Sequence, residues 1–196
     1  RLTTSPNLQV PSSFSPDGKR LVFYELNPET ASDLHVLSME GEPTSEPLLH
    51  TQFNEGRAVI SPDGRWIAYR SNETGRFEVY VRPFPKVQEG KWQISRDGGV
   101  SPVWGPKGRE LFYRAGEAMM VVTIKTEPTF TAGNPEVLFT ARYYTGPGRN
   151  YDISPDGQRF LMIKEAEQTE ETAVPTQLIV VENWFEELKR LVPTGK

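Results

Sequence analysis

A four-residue motif recurs along the chain and constrains its fold more than any other feature. It is Ser-Pro-Asp-Gly at residues 15–18, 61–64 and 154–157, and a degenerate copy, Gly-Pro-Lys-Gly, occupies residues 105–108. The glycines of successive copies are separated by 46, 44 and 49 residues. Proline presets the backbone angle of the second turn position, aspartate favours the third, and glycine accepts the left-handed conformation that follows. Each copy is therefore predicted to be a tight turn between two antiparallel strands.

Strand-like segments surround every turn in the same order. A short apolar segment precedes the turn, and a run of consecutive apolar residues follows it, as in a strand that is buried on both faces. Third strands are predicted at residues 34–39, 77–81, 119–124 and 178–181, and outer fourth strands at residues 47–50, 92–95 and 136–140. A period in the forties with four strands is typical of one blade of a β-propeller.

The predicted fold is therefore all-β, a β-propeller of four four-stranded blades in a single domain over residues 1–196. The blades are expected at about residues 9–51, 55–96, 100–141 and 149–182.

The two ends of the chain allow more than one way of closing the ring. Residues 1–5 are predicted as a closing strand that pairs with residues 178–181, which gives a small closed ring. The same repeat count also fits part of a larger propeller, or a homodimer in which two half-rings complement each other. Residues 183–192 are predicted to form a short C-terminal helix, because Trp184, Phe185 and Leu188 share one helical face. This helix either packs on the propeller as a cap or binds a partner.

Composition excludes several classes of function. The net charge is −4, so no electrostatic footprint for nucleic acid is present. The chain has no cysteine, which excludes disulfides, thiolate zinc sites and cysteine nucleophiles but fits either redox compartment. No apolar run approaches the roughly 18 residues that a membrane span needs, so no membrane insertion by this segment is expected.

The repeats resemble those of a known family. Residues 98–113 are similar to the repeat core of TolB-like propellers, which are related to the WD-repeat proteins, and residues 71–81 resemble the hairpin between their second and third strands. The similarity covers about residues 1–182. Propellers of this family usually have six blades, whereas four repeats are visible here.

The resemblance implies the fold strongly and the function weakly. Such repeats occur in periplasmic TolB-type proteins, in the propeller gates of prolyl-oligopeptidase-like enzymes, and after the kinase domain of bacterial receptor-type serine/threonine kinases. Residues 178–189 resemble the end of the last group. A periplasmic or extracellular location is what the resemblance implies, with a cytoplasmic one left open.

No catalytic constellation is evident, so the chain itself is not expected to be an enzyme. No Gly-x-Ser-x-Gly nucleophile motif occurs, and the two histidines, His35 and His50, are expected in the outer part of the first blade. Glu55 and Asp152 are the carboxylates nearest to first strands, but a glycosidase pair cannot be inferred from their positions alone. The aspartates of the repeated turns occupy positions that favour aspartate anyway, so neither a metal nor a cofactor is predicted.

The segment from Arg142 to Tyr151 is the most promising loop for binding. It joins an outer strand to the next inner strand, which in propellers places it on a rim of the channel, and it is rich in tyrosine and arginine. Arg57 and Ser101 occupy comparable positions at the start of their own first strands. The candidate ligand-binding residues are Arg57, Ser101, Tyr143, Tyr144, Arg149 and Tyr151. Packing between blades is the alternative role for the tyrosines.

The function expected from these observations is a non-catalytic module that binds a ligand or a protein. It would be the sensory or scaffolding part of a bacterial signalling or envelope protein, and its partner a protein, a peptide or a small polar ligand. The alternative is the accessory or gate propeller of a peptidase, or a carbohydrate-active propeller enzyme.

Overall fold

The computed structural model describes residues 2–144, 146 and 148–164. Two predicted elements, the third strand of the last blade at residues 178–181 and the helix at residues 183–192, lie outside the described residues. The 3-10 helix Val87–Glu89 is the one helix among the described residues, and none there is long and apolar enough to cross a membrane.

The strands form sheets in chain order, and every neighbouring pair is antiparallel. The first sheet contains β1 (Gln9–Phe14), β2 (Arg20–Asn27), β3 (Ala31–Ser38) and β4 (Thr44–Leu49). The second contains β5 (Gly56–Ile60), β6 (Trp66–Ser71), β7 (Glu78–Pro83) and β8 (Trp92–Gln93).

The third sheet contains β9 (Val100–Trp104), β10 (Glu110–Ala115) and β11 (Ala118–Lys125), and two short strands share its outer edge. β12 (Thr131–Ala132) pairs with the end of β11, and β13 (Glu136–Thr140) pairs with its beginning. The described part of the fourth sheet is the hairpin of β14 (Tyr151–Ile153) and β15 (Phe160–Met162). The predicted all-β class and succession of antiparallel blades are confirmed.

The repeated turns form as predicted, and their side chains show why. In the first turn Ser15 Oγ donates to Asp17 Oδ1 at 2.6 Å and accepts from the backbone N–H of Arg20 at 2.9 Å. Gly18 closes the turn with φ of 71° and donates its N–H to the Ser15 carbonyl. The Ser-Pro-Asp-Gly turns at residues 61–64 and 154–157 repeat these bonds. The degenerate turn keeps the backbone bond from Gly108 to Gly105 without the serine hydroxyl.

The hydrophobic core lies between successive sheets rather than within one layer. Between the first two sheets pack Val22, Leu34, Val36, Ile60, Ile67 and Tyr69. Between the second and third pack Ala68, Val79, Val81, Trp104, Leu111 and Val122. Val103, Phe112, Met119 and Tyr151 fill the space between the third sheet and β14. This face-to-face packing explains the consecutive apolar residues of the second strands, which are covered on both faces.

The first strands of successive sheets lie side by side, and β5 contacts both β1 and β9. Each of these three strands breaks its regular register with β2, β6 or β10 within its length. Residues 2–8 precede β1 and lie outside the strands. Residues 2–5 thus form no strand of their own, and since their expected partner at residues 178–181 is not described, the closing pair stays a prediction.

Candidate functional site

Arg57 in β5 and Ser101 in β9 lie at equivalent bulges of these neighbouring strands. Arg57 has φ of 51° and Ser101 has φ of 55°, both in the left-handed region that non-glycine residues rarely adopt. Each lies where its strand loses register with the next strand, and each stands at the same offset from its own turn glycine, Gly64 or Gly108. A bulge of this kind turns a side chain away from the regular alternation of the strand.

Arg57 links three parts of the chain through its guanidinium group. Its Nη1 donates to Ser101 Oγ, and its Nη2 donates to the carbonyl oxygen of Gly146 at 3.1 Å. The carbonyl of Ser101 in turn accepts a 2.6 Å hydrogen bond from the hydroxyl of Tyr151, which is 4% exposed. Burial raises the pKa of that hydroxyl, so it remains a donor. One hydrogen-bonded chain therefore joins the beginnings of β5, β9 and β14.

A cavity of about 60 Å³ lies among the beginnings of the first strands. It is large enough for a small group, since one water needs roughly 10–15 Å³ of such space. Its lining is mostly apolar, with four polar side chains besides a tyrosine. The lining residues are Val10, Pro11, Ser12, Tyr24, Arg57, Ala58, Val59, Ser101, Pro102, Gly148 and Arg149.

The structure brings four of the six predicted site residues together. Three of them, Arg57, Ser101 and Arg149, line the cavity. The fourth, Tyr151, donates a hydrogen bond to the backbone carbonyl of Ser101. Arg149 also forms an ion pair with Asp152, at 3.2 Å.

The other two predicted residues belong to the same loop but do not line the cavity. Tyr143 packs edge-on against Phe139 at 6.1 Å between ring centroids, and the guanidinium of Arg114 lies 5.7 Å from the Tyr143 ring. Tyr144 is 38% exposed and donates its backbone N–H to the Ile163 carbonyl. Tyr143 thus packs against residues of the third sheet, and a packing role between blades stays a prediction for the tyrosines.

Two further arginines beside the site escaped the sequence analysis. Arg70 lies opposite Gly56 in β6, and its guanidinium stacks on Phe77 at 4.3 Å. Arg114 lies opposite Val100 in β10, is 5% exposed, and donates Nη2 to the Gly116 carbonyl at 2.9 Å. Both stand at one offset from their turn glycines, so aligning the repeats would have found them.

Three arginines of this region have no acidic partner among the described residues. None of the ion pairs among residues 2–144, 146 and 148–164 includes Arg57, Arg70 or Arg114. Burial lowers the pKa of Arg57, and burial together with the charge of Arg57 lowers the pKa of Arg70. Both remain cations at neutral pH, because arginine does not lose its proton in proteins.

The acidic candidates lie away from this cavity or are already paired. Glu55 is 3% exposed, accepts from Thr51 Oγ1 at 2.6 Å through Oε1, and does not line the cavity. Burial, followed by the charges of Asp33 and Glu73, raises the pKa of Glu55 to about 7. Asp152 forms its ion pair with Arg149.

The histidines lie on the outer side of the first sheet, as expected from their strands. His35 in β3 stacks on Phe23 at 5.3 Å, and His50 places Nδ1 3.0 Å from the buried Asp33 Oδ2. Within the described part of the chain, no group of three or more histidine, aspartate or glutamate side chains is suited to hold a metal.

Comparison with known proteins supports the architecture. The protein assigned as TolB from Agrobacterium tumefaciens superimposes with a TM-score of 0.59 at 21% identity, over 81% of this chain and 61% of that one. TolB from Acinetobacter baumannii gives a TM-score of 0.63 at 14% identity, over 86% of this chain and 40% of the other. The fold is a TolB-like β-propeller.

Two further comparisons match proteins with other descriptions. A protein of Bacteroides uniformis assigned as a 6-phosphogluconolactonase gives a TM-score of 0.53 at 18% identity, over 82% of this chain and 50% of that one. Among curated proteins, an uncharacterized protein of Agrobacterium fabrum is 22% identical over 157 residues, which are 77% of this chain and 53% of that protein. No family model matches the sequence. The chain spans about half the length of this curated relative.

Proposed function

We propose that this chain is a non-catalytic binding module, and that the beginnings of its first strands form the binding surface. The observation that carries the proposal is the cavity lined by Arg57, Ser101 and Arg149, the first two of which have a left-handed backbone conformation. Non-glycine residues in that region cost about 1–3 kcal/mol each and cluster at ligand sites. A mostly apolar cavity with a few convergent polar groups is the usual form of a small-ligand site.

The binding role is favoured over catalysis by what the site contains. Its polar side chains are donors, and the carboxylates considered for acid chemistry are either outside the lining or paired with Arg149. Binding through fixed donors and an apolar wall requires no nucleophile or proton shuttle. The module would serve as the sensory or scaffolding part of a bacterial signalling or envelope protein, in the periplasm or outside the cell.

A binding screen with site variants tests the proposal. The full chain is titrated with short peptides, small organic acids, neutral sugars and amines, and binding is followed by thermal shift and then by calorimetry. We expect at least one of these classes to raise the melting temperature, and Arg57→Gln and Arg149→Gln to weaken its binding.

The matched control is Arg65→Gln, because Arg65 is an exposed arginine whose partners are Asp63 and Glu127 at a repeated turn. This variant should bind as the unmodified chain does. Binding that survives both Arg57→Gln and Arg149→Gln would place the surface elsewhere, and no binding by any class would contradict a binding function.

A further inference from the structure

We propose that the cavity beside Arg57 accepts a single carboxylate group carried on a small apolar body, such as a branched organic acid or the C-terminal residue of a peptide. This inference rests on the proposed function and specifies its ligand. It follows from the charge, the donor pattern and the wall of the cavity.

Among the described residues, no acidic side chain pairs with Arg57 at the cavity. Two cationic side chains line it, Arg57 and Arg149, and Arg149 is paired with Asp152 at 3.2 Å. Within residues 2–144, 146 and 148–164, Arg57 donates to two neutral acceptors, the Ser101 hydroxyl and the Gly146 carbonyl. A half-buried cation without a counter-charge is costly, and an anion that binds beside it removes that cost.

The donors around Arg57 suit a planar anion. A guanidinium has five N–H donors, and two of those of Arg57 are used within the described residues. The planar fork of the group matches the two oxygens of a carboxylate. Ser101 accepts from Arg57 and keeps its own hydroxyl proton, which gives a second kind of donor at the same place.

The charge of the lining and the apolar wall of the cavity indicate which kind of anion would bind. Of the two arginines that line the cavity one is already paired, so a monovalent anion is enough to balance the lining itself. The wall beside the arginine is formed by Val10, Pro11, Ala58, Val59 and Pro102, which would cover an apolar body.

The test compares each acid with its own neutral amide on the unmodified full chain. Calorimetry measures the affinities of N-acetyl-leucine and N-acetyl-leucinamide, of isovalerate and isovaleramide, and of a tripeptide ending in leucine with a free or an amidated C-terminus. We expect each acid that binds to do so roughly 10- to 100-fold more tightly than its amide, the usual range for a charged hydrogen bond. Isovalerate and the tripeptide distinguish a free acid from a peptide C-terminus as the source of the carboxylate.

Variants assign the effect to Arg57. Arg57→Gln should abolish the preference for the acid, Arg57→Lys should keep part of it, and Arg65→Gln should keep all of it. If Arg57→Gln does not fold, the affinities of each acid and its amide for the unmodified chain still test whether the cavity prefers a carboxylate.

Equal affinity for acid and amide, or tighter binding of inorganic phosphate than of every carboxylate, would overturn this inference. If neutral ligands bind at Arg57 equally well, the proposed function stands and only the carboxylate specificity fails. If nothing binds, both fail.

Discussion

A buried carboxyl just before β5 predicts how the stability of the protein depends on pH. Glu55 is 3% exposed, and burial, with the charges of Asp33 and Glu73 as lesser causes, raises its pKa from 4.5 to about 7. Its Oε2 has no hydrogen-bond partner among the described residues, so ionisation leaves a buried charge poorly stabilised. Between these two pKa values the folded state holds a proton that the unfolded state has released. The contribution of Glu55 to the free energy of unfolding therefore falls as pH rises from about 4.5 to 7 and is level above that range.

The size of the effect follows from the shift. Each unit of pKa is worth about 1.4 kcal/mol, so the rise from 4.5 to about 7 corresponds to a loss of about 3 kcal/mol across the interval. Glu55→Gln removes the titrating group while preserving its shape. The free energy of unfolding of the unmodified chain minus that of Glu55→Gln should therefore decrease by about 3 kcal/mol between pH 4.5 and pH 7.

Urea denaturation of both proteins at intervals from pH 4.5 to pH 8 measures this difference, and subtraction cancels the titration of other groups that the two proteins share. The control is Glu40→Gln, whose carboxylate is exposed and pairs with Lys19 on the surface. It should give no comparable slope over this range. A difference between the unmodified chain and Glu55→Gln that stays flat, or that rises with pH, would refute the reasoning.

Three further predictions concern the site and the repeated turns. Tyr151→Phe removes the hydroxyl that donates to the Ser101 carbonyl. In urea titrations it should lower the free energy of unfolding by about 1–3 kcal/mol. An unchanged urea midpoint would contradict the stabilising role of that hydrogen bond. Ser101→Val should be less stable than Ser101→Gly by about 1–2 kcal/mol, because both variants lose the hydroxyl but only valine is strained at φ of 55°. Equal stability of the two variants in urea titrations would argue against the left-handed conformation. Ser61→Ala should lower the free energy of unfolding by about 1 kcal/mol, because it removes the hydrogen bonds to Asp63 and from the Trp66 N–H. Ser154→Ala, in the more exposed last turn, should lower it by less. Thermal melts that showed the reverse order of the two variants would contradict this account of the turn.

Much of the fold could be predicted because its information is local. The Ser-Pro-Asp-Gly turns carry all their determinants in four residues, and the apolar runs after them fix the second strands. The outer edge of the third sheet could not be predicted in full. There β12 and β13 share the position of one strand, and that division depends on how residues 126–135 fit along β11 rather than on any local pattern.

The candidate site was predictable in its position but not in its geometry. The repeat offset alone placed Arg57 and Ser101 at the start of their strands, and the same offset logic applied to β6 and β10 would have found Arg70 and Arg114. The left-handed positions are occupied by an arginine and a serine rather than by glycine, so nothing local indicated that Arg57 would reach across to Ser101 and Gly146. The burial of Glu55 likewise depends on a distant contact, since its backbone exchanges hydrogen bonds with Ser32 in β3.

The central claim is that ligands bind beside Arg57 at the beginnings of the first strands. Arginine Nε–H resonances of the isotope-labelled full chain, followed by NMR during titration with N-acetyl-leucine, test this most directly. The account predicts that the resonance of Arg57 shifts progressively and saturates while that of Arg65 stays in place. A shift confined to Arg65 or other surface arginines, with Arg57 unmoved, would contradict it.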